Sequence, residues 1–172
     1  GTVARDQLEI MESAMRANLA TRLSNELTTI DGAREALQQL SDYPRAVVSN
    51  GPEKKILNAL ATTALDGYFN GHLFSGYAAN CWKPEPGLHL HAAHNMGFDA
   101  ADCIAIDDAL VGVKAALDAG MTVVNLNRFP DAEKTPKDAI MINSMYQLPT
   151  VIQQLTRERW GNSTTLKRYK GA

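Results

Sequence analysis

The sequence is poor in cysteine and has no long hydrophobic run, and each shortage excludes a class of protein. Its two cysteines, Cys81 and Cys103, are too few and too unpatterned for a disulfide scaffold or a zinc site, so we expect them to contribute to packing in a reducing compartment. No stretch approaches the roughly 18 consecutive apolar residues that favour a membrane span. We therefore expect a cytoplasmic protein without a membrane partner.

The sequence also lacks an excess of charge of either sign. Its 17 Lys and Arg residues and 19 Asp and Glu residues give a formal net charge of -2, which indicates no polyanionic partner such as nucleic acid. Apolar residues make up 45% and charged residues 21%, as in ordinary globular domains, and 172 residues are enough to bury one core. These properties exclude a disordered chain and a fibre, but they do not fix the oligomeric state.

Short apolar runs alternate with helical patterns from Arg45 onward, which is typical of an α/β fold with a parallel sheet covered by helices on both faces. Before this part, apolar residues recur at three- and four-residue steps over residues 5–23, as an amphipathic helix requires. The boundary falls near residues 29–32. We predict five strands, at residues 45–48, 73–76, 104–106, 122–126 and 140–142. We predict helices at residues 33–40 and 88–96, and three more whose bounds are less defined: one that follows Pro52, one that ends at Gly120 and one that begins at Pro149.

Two adjacent carboxylates, Asp107 and Asp108, follow the apolar run at residues 104–106 and precede a helical pattern. Ligand sites in open α/β sheets lie outside the carboxyl ends of the strands, and Mg²⁺ takes few protein carboxylates while it keeps several waters. The pair is therefore a candidate Mg²⁺ site. The alternative is an ordinary helix N-terminus, where aspartate is favoured as a cap and by the helix dipole.

Two further segments carry polar residues next to predicted elements. Ser49 and Asn50 lie at a strand end and precede a helix, so a hydroxyl and backbone N–H groups there could bind an anion, or could simply form a cap. Lys83 lies in a loop held by Pro84 and Pro86, where a positioned cation could neutralise a phosphate, although a single lysine is also compatible with solvated surface.

Three histidines in one predicted helix suggest a metal site at first sight. His89 and His91 point to different sides of a helix, which leaves at best a His91/His94 pair. We therefore interpret these histidines as surface or packing residues.

The segments VVSNG, WKPEP and IAIDDALVGVKAALDAG, in this order, resemble the second, third and fourth motifs of the haloacid dehalogenase-like hydrolases. The resemblance is greatest to the subfamily with a small helical cap, which includes sugar phosphatases and phosphosugar mutases, and it covers nearly the whole chain. It implies that residues 1–30 form the second half of the cap, that residues 31–160 form a Rossmann-like core, and that residues 161–172 form a tail.

The resemblance also implies roles for individual residues. Ser49 would bind the substrate phosphate through its hydroxyl, aided by the backbone N–H of Asn50, and Lys83 would stabilise the nucleophile and the phosphoryl oxygens. Asp108 would bind Mg²⁺, with Asp107 as a further ligand or as a carboxylate supporting the metal site. In this family an aspartate attacks phosphorus, and water then hydrolyses the aspartyl-phosphate.

The sequence departs from the family pattern at the first motif, because it contains no Asp-x-Asp after an apolar strand. That motif supplies the nucleophile, the general acid/base and one main metal ligand. Its strand would lie between the strands that end at Ser49 and Asp107, and each backbone group left unpaired and buried there would cost about 1–3 kcal/mol. We therefore predict that the first central strand is missing, that the chain is N-terminally truncated, and that it is inactive alone.

The function implied by the resemblance is a Mg²⁺-dependent phosphatase for a small phosphorylated metabolite, either a sugar phosphate or a sugar-acid phosphate. The nucleophile would lie outside this chain. A phosphosugar mutase of the same family is one alternative, and a non-catalytic interaction module that lacks the nucleophile is another. A signalling receiver domain also combines an acidic pair, a hydroxyl residue and a lysine, but there the acidic pair comes early, whereas here it comes last.

Overall fold

The structure is a computed structural model, and it describes residues 27–160. Its strands are β1 (Val47–Ser49), β2 (Leu73–Ser75), β3 (Ile104–Asp107), β4 (Thr122–Leu126) and β5 (Ile140–Ile142). Its helices are α1 (Ala33–Gln39), α2 (Glu53–Thr62), α3 (Gly76–Ala79), α4 (Gly87–Asn95), α5 (Leu110–Asp118) and α6 (Leu148–Trp160), with 3-10 turns at Asp66–Tyr68, Ala100–Asp102 and Met145–Gln147. The helix predicted at residues 5–23, nearly all of the cap segment and the tail lie outside the described residues.

All strand pairs in the structure are parallel. β1 pairs with β2, and β3, β4 and β5 form a second sheet in that order, with Asp107 opposite Asn125. The predicted α/β class with parallel strands flanked by helices is confirmed. Within residues 27–160, β1 and β3 are not hydrogen-bonded to each other, and the strand that the family resemblance places between them stays a prediction.

The core of the three-stranded sheet is buried on both faces, because successive side chains of β4 point to opposite sides. Val124 and Leu126 pack with residues of α1, β5 and α6, whereas Val123 packs with Ala105 and with α5. These three β4 side chains are at most 4% exposed. Burial of each such side chain contributes about 1.5–3 kcal/mol, which explains why the apolar run of β4 could be recognised from sequence over its full length.

The boundaries of the elements follow local chemistry. α4 is followed by Gly97 and α5 by Gly120, both at positive φ (77° and 78°), as the sequence predicted for helix ends. β2 ends at Ser75, one residue earlier than predicted, because the Ser75 hydroxyl accepts a hydrogen bond from the Tyr77 N–H and begins the short helix α3. In the part of the chain that the structure describes, none of the helices is long and apolar enough to cross a membrane.

Candidate functional site

Lys83 joins the two sheets at the carboxyl ends of β1 and β3. Its Nζ donates to Asp107 Oδ2 at 2.7 Å and to the Val48 carbonyl oxygen at 3.3 Å. Both charged side chains are largely shielded from solvent, with 11% of Lys83 and 12% of Asp107 exposed. The lysine therefore has a fixed position between β1 and β3, and the solvated-surface interpretation of this residue is wrong.

The side chain of Asn50 holds the backbone of Lys83. Asn50 Oδ1 accepts from the Lys83 N–H at 2.8 Å, and Asn50 Nδ2 donates to the Lys83 carbonyl oxygen at 2.9 Å. A carboxamide can make this pair of bonds because it carries a donor and an acceptor on one planar group. The sequence interpretation used only the backbone N–H of Asn50, so the contribution of its side chain was missed.

Ser49 lies at the end of β1, and its hydroxyl oxygen accepts from the Gly51 N–H at 3.1 Å. This bond stabilises the turn that leads into α2, but it leaves the hydroxyl proton able to donate. The N-cap residue of α2 is Pro52, and no side chain caps that helix. The structure therefore does not show Ser49 as the cap of α2. Ser49 directly follows Val48, whose carbonyl oxygen accepts from Lys83.

Asp107 and Asp108 differ in their surroundings. Asp107 Oδ1 accepts from the Ala109 N–H at 2.9 Å, while Oδ2 accepts from Lys83, so this carboxylate both stabilises the start of α5 and neutralises the lysine. Asp108 is exposed. Each carboxylate oxygen has two lone pairs, so Asp107 retains acceptor capacity. Among the described residues, the structure has no cluster of three His, Cys, Asp or Glu side chains around a metal position, and the Mg²⁺ assignment stays a prediction.

Gly112 allows the Asp107 carboxylate to lie directly against α5. A Cβ atom at this position would be 1.8 Å from Asp107 Oδ2 and 2.1 Å from its Cγ, so any residue larger than glycine would displace the carboxylate. The structure thus shows that the Asp107 carboxylate is the group that requires a glycine at this position.

His89 lies behind the same carboxylate. It is 5% exposed, whereas His91 and His94 are exposed, in agreement with the interpretation of these residues as packing and surface. Burial lowers the pKa of His89, and the positive charge of Lys83 lowers it further. Asp107 and a hydrogen bond with the Gly112 backbone oppose this shift. Lys83 and Asp107 therefore both affect the pKa of His89, and the sequence did not predict this proximity.

A buried polar group on β4 supports the site from the other side. Asn125 Nδ2 donates to the Asp107 carbonyl oxygen at 3.1 Å, and Asn125 Oδ1 accepts from Thr135 Oγ1 at 2.6 Å. Asn125 is 2% exposed, and a buried carboxamide is stable only when it is hydrogen-bonded. An asparagine within an otherwise apolar strand was the sequence signal for this contact, and it was overlooked.

These contacts place Ser49, Asn50, Lys83 and Asp107 around one position, with Asp108 exposed beside it. A cation, a hydroxyl donor and backbone N–H groups can together bind phosphate oxygens, and two carboxylates can bind a divalent cation. Within residues 27–160 the site contains no third carboxylate that could act as a nucleophile. The arrangement is therefore suited to binding a phosphate.

Comparisons with known proteins agree with this chemistry. The haloacid dehalogenase-like hydrolase family model matches residues 3–120. The chain is 39% identical to 6-phosphogluconate phosphatase of Escherichia coli over an alignment of 112 residues. This alignment covers 65% of the chain and 50% of that enzyme. It is 32% identical to hexitol phosphatase A of the same organism over an alignment of 132 residues. This alignment covers 74% of the chain and 59% of that protein.

A solved structure shares the fold. A haloacid dehalogenase-like protein of unknown function from Agrobacterium tumefaciens superposes with a TM-score of 0.72 and 27% identity, over 86% of this chain and 70% of that one. The chain spans about half the length of the curated relatives it matches, since the covered shares are 50% and 59%. The family match covers well over half of the chain and contains all the residues of the candidate site. The chain belongs to the haloacid dehalogenase-like hydrolase family.

Proposed function

We propose that this chain forms the phosphate-binding part of a phosphatase that hydrolyses a small phosphorylated metabolite, a sugar phosphate or a sugar-acid phosphate. The observation that carries the proposal is the position of Lys83, whose Nζ contacts both Asp107 and the Val48 carbonyl oxygen next to Ser49. These two contacts use two of the three N–H donors of the Lys83 ammonium, so the third is left to donate to an anion at this edge of the fold.

Each residue of the site has a role in this proposal. The Ser49 hydroxyl and the Asn50 N–H donate hydrogen bonds to phosphate oxygens, and Lys83 neutralises negative charge that develops during transfer. Charged hydrogen bonds of this kind are stronger where water is partly excluded, as it is around Lys83. The names of the relatives, a 6-phosphogluconate phosphatase and a hexitol phosphatase, support the sugar class of the substrate.

Mg²⁺ fits the donor set, because Asp107 and Asp108 present hard oxygen ligands and the exposed side of Asp108 leaves room for water ligands. Asp108 would bind the ion directly, with Asp107 as a further ligand or a support. The bound ion would supply positive charge to the phosphoryl oxygens.

The catalytic aspartate and the general acid/base would come from a strand placed between β1 and β3, whose facing edges are not paired with each other in the described part of the chain. An aspartyl-phosphate would form on that aspartate. In this arrangement residues 1–30 would belong to the cap, residues 31–160 to the core and residues 161–172 to a tail, in a cytoplasmic enzyme.

The test compares two proteins, the 172-residue chain and the protein expressed from its complete coding sequence. Both are assayed for phosphate release from sugar phosphates and sugar-acid phosphates, with Mg²⁺ and after its removal by a chelator. We expect turnover only from the complete protein and only with Mg²⁺, whereas the chain should bind inorganic phosphate without turnover. Turnover by the chain itself would show that the nucleophile assignment is wrong.

A variant pair sharpens this assay. Lys83→Met should remove phosphate binding and lower kcat/KM by at least about 10²-fold, the usual effect of losing one transition-state donor. Lys114→Met is the matched control, because Lys114 is exposed and pairs with Asp118 on the surface of α5. It should leave activity unchanged. Conversion of a substrate to an isomeric phosphate without phosphate release would favour the mutase alternative.

A further inference from the structure

The loop after β4 is tied to the end of β3 by a chain of side-chain hydrogen bonds. Asn127 Nδ2 donates to Thr135 Oγ1 at 3.2 Å, and Thr135 Oγ1 donates to Asn125 Oδ1 at 2.6 Å. Asn125 Nδ2 then donates to the Asp107 carbonyl oxygen at 3.1 Å. Both asparagines are buried, with 2% of Asn125 and 6% of Asn127 exposed. The loop therefore reaches the backbone of Asp107 through three side chains.

The direction of this chain is fixed at its outer end by backbone groups. Asn127 Oδ1 accepts from the Phe129 N–H at 3.0 Å, and Asn127 Nδ2 donates to the Glu133 carbonyl oxygen at 2.6 Å. A backbone N–H can only donate and a backbone carbonyl can only accept, so the carboxamide of Asn127 has one possible orientation. The Thr135 oxygen then accepts from Asn127, and its own proton points to Asn125. The hydroxyl of Thr135 thus favours the orientation in which the amide N–H of Asn125 faces β3.

The carbonyl that receives the last bond belongs to the peptide group between the two candidate metal-binding residues. A peptide group is planar, so a bond to the Asp107 carbonyl oxygen holds the plane that joins Asp107 to Asp108. Asp107 and Asn125 lie opposite each other in the β3–β4 register, which brings the amide to this carbonyl. The Asp107 carboxylate also accepts from Lys83 Nζ at 2.7 Å. A rotation of the plane would therefore move both carboxylates and disturb the contact with the lysine.

We propose that Thr135 is a positioning residue of the phosphate site, which acts through Asn125 to hold the peptide group between Asp107 and Asp108. Asn127 supports it by keeping the Thr135 hydroxyl in its donating direction. Hydrogen bonds in such a chain polarise and strengthen one another, so loss of the hydroxyl should weaken the bond at the far end. Thr135 contacts neither phosphate nor metal in this role. Its effect on phosphate binding rests on the function proposed above, whereas its effect on the peptide group does not.

The test uses the protein from the complete coding sequence, with two substitutions at Thr135 and one control. Thr135→Val keeps the shape of the side chain and removes the hydroxyl, whereas Thr135→Ser keeps the hydroxyl. The control is Thr150→Val, which makes the same change at an exposed threonine of α6. Motion of the peptide group is measured by NMR relaxation dispersion of the Asp108 backbone nitrogen. The dissociation constant for inorganic phosphate in the presence of Mg²⁺ is measured by calorimetry.

We expect Thr135→Val to produce microsecond-to-millisecond exchange at the Asp108 amide that the wild type lacks. It should weaken phosphate binding about 10-fold, the lower end of the losses that follow removal of a group supporting metal ligands. Thr135→Ser should restore a rigid amide and an affinity within about 3-fold of the wild type, since a serine hydroxyl can make the same two hydrogen bonds. Thr150→Val should match the wild type in both measurements.

An Asp108 amide as rigid in Thr135→Val as in the wild type would overturn the proposal. Unchanged phosphate affinity in that variant, while the wild type binds phosphate, would overturn it as well. Should Thr135→Val fail to fold, Thr135→Ala removes the same hydroxyl with a smaller side chain and is judged by the same two measurements. Absence of phosphate binding by the wild-type protein would refute the proposed function instead. In that case the Asp108 measurement in the Thr135 variants still decides the role of this residue.

Discussion

Replacing Gly112 with alanine tests whether the Asp107 carboxylate is held by direct contact with α5. The added Cβ would lie 1.8 Å from Asp107 Oδ2, where ordinary contact begins at 3.4 Å, so the oxygen would have to retreat by the difference of about 1.6 Å. A retreat of that size exceeds what the 2.7 Å hydrogen bond to Lys83 can absorb. The substitution should therefore separate the two charges as well as strain the helix.

The expected magnitude follows from three opposing effects. Alanine has a higher helix propensity than glycine and would stabilise the interior of α5 by about 1 kcal/mol. Overpacking destabilises by about 1–3 kcal/mol, and breaking a buried ion pair by up to about 3–5 kcal/mol. Lys83 keeps its bond to the Val48 carbonyl oxygen and both charges retain some exposure, so we take about 3 kcal/mol for the loss of the ion pair. Gly112→Ala should thus lower the free energy of unfolding by about 3–5 kcal/mol.

The measurement is urea denaturation followed by circular dichroism, together with inorganic phosphate binding. Gly67→Ala is the matched control, because no atom lies within 4 Å of a Cβ added there and its φ is not in the left-handed region. This control should leave stability unchanged or raise it by up to about 1 kcal/mol. If Gly112→Ala were as stable as the control and bound phosphate as the wild type does, the contact between Asp107 and Gly112 would not exist as described.

Three further predictions concern the surroundings of the site. Asn50→Ala should lower the free energy of unfolding by about 1–3 kcal/mol in urea titrations and weaken phosphate binding, because the Lys83 backbone N–H and carbonyl lose their partners. Gly76→Ala should lower the thermal midpoint, since the new Cβ would lie 2.6 Å from Trp82 Cδ1, and overpacking of this kind destabilises by about 1–3 kcal/mol. Burial and the charge of Lys83 lower the pKa of His89 below 6.5, so the unfolded chain binds a proton more readily. Stability should therefore be full above about pH 6.5 and fall as the pH drops below it, and urea titrations of His89→Phe should lack this contribution.

Each of these predictions has a control in the same fold. Asn95→Ala changes an exposed asparagine whose amide bonds within its own helix, and it should alter the free energy of unfolding by less than about 0.5 kcal/mol. Gly67→Ala serves again as the control for Gly76. For the pH dependence, equal slopes of stability against pH in the wild type and in His89→Phe would show that another group is responsible.

The bounds of a strand could be predicted from the sequence where the burial of its own side chains sets them. β4 was predicted at its observed bounds, because its run of apolar and β-branched residues is buried on both faces. β1 begins at Val47 rather than at residue 45, because its hydrogen bonding toward β2 starts where the Val47 N–H donates to the His72 carbonyl oxygen. The Arg45 side chain instead donates to the Leu37 carbonyl oxygen. The helix α3 was missed because four residues are too few to show a helical period.

The site was predictable where residues follow strand ends, and not where it depends on contacts between distant segments. Ser49 and Asp107 could be paired in advance, because the carboxyl ends of parallel strands lie at one edge of the fold. Lys83 was located through its prolines and the family resemblance. The Asn50 side chain reaches a backbone 33 residues away and Asn125 one 18 residues away, and no local pattern encodes which groups meet over such distances.

The two hydrogen bonds between the Asn50 side chain and the Lys83 backbone also tie the turn after β1 to the loop that carries the lysine. Asp107, which is bonded to Asn125, belongs to the three-stranded sheet. The Lys83–Asp107 ion pair is thus a link between the two sheets. A phosphate bound to Ser49 and Lys83, with a cation bound to Asp108, would add a second link between them. Occupancy of the site would then be detectable far from it, as a reduced rate of amide hydrogen exchange along the facing edges of β1 and β3.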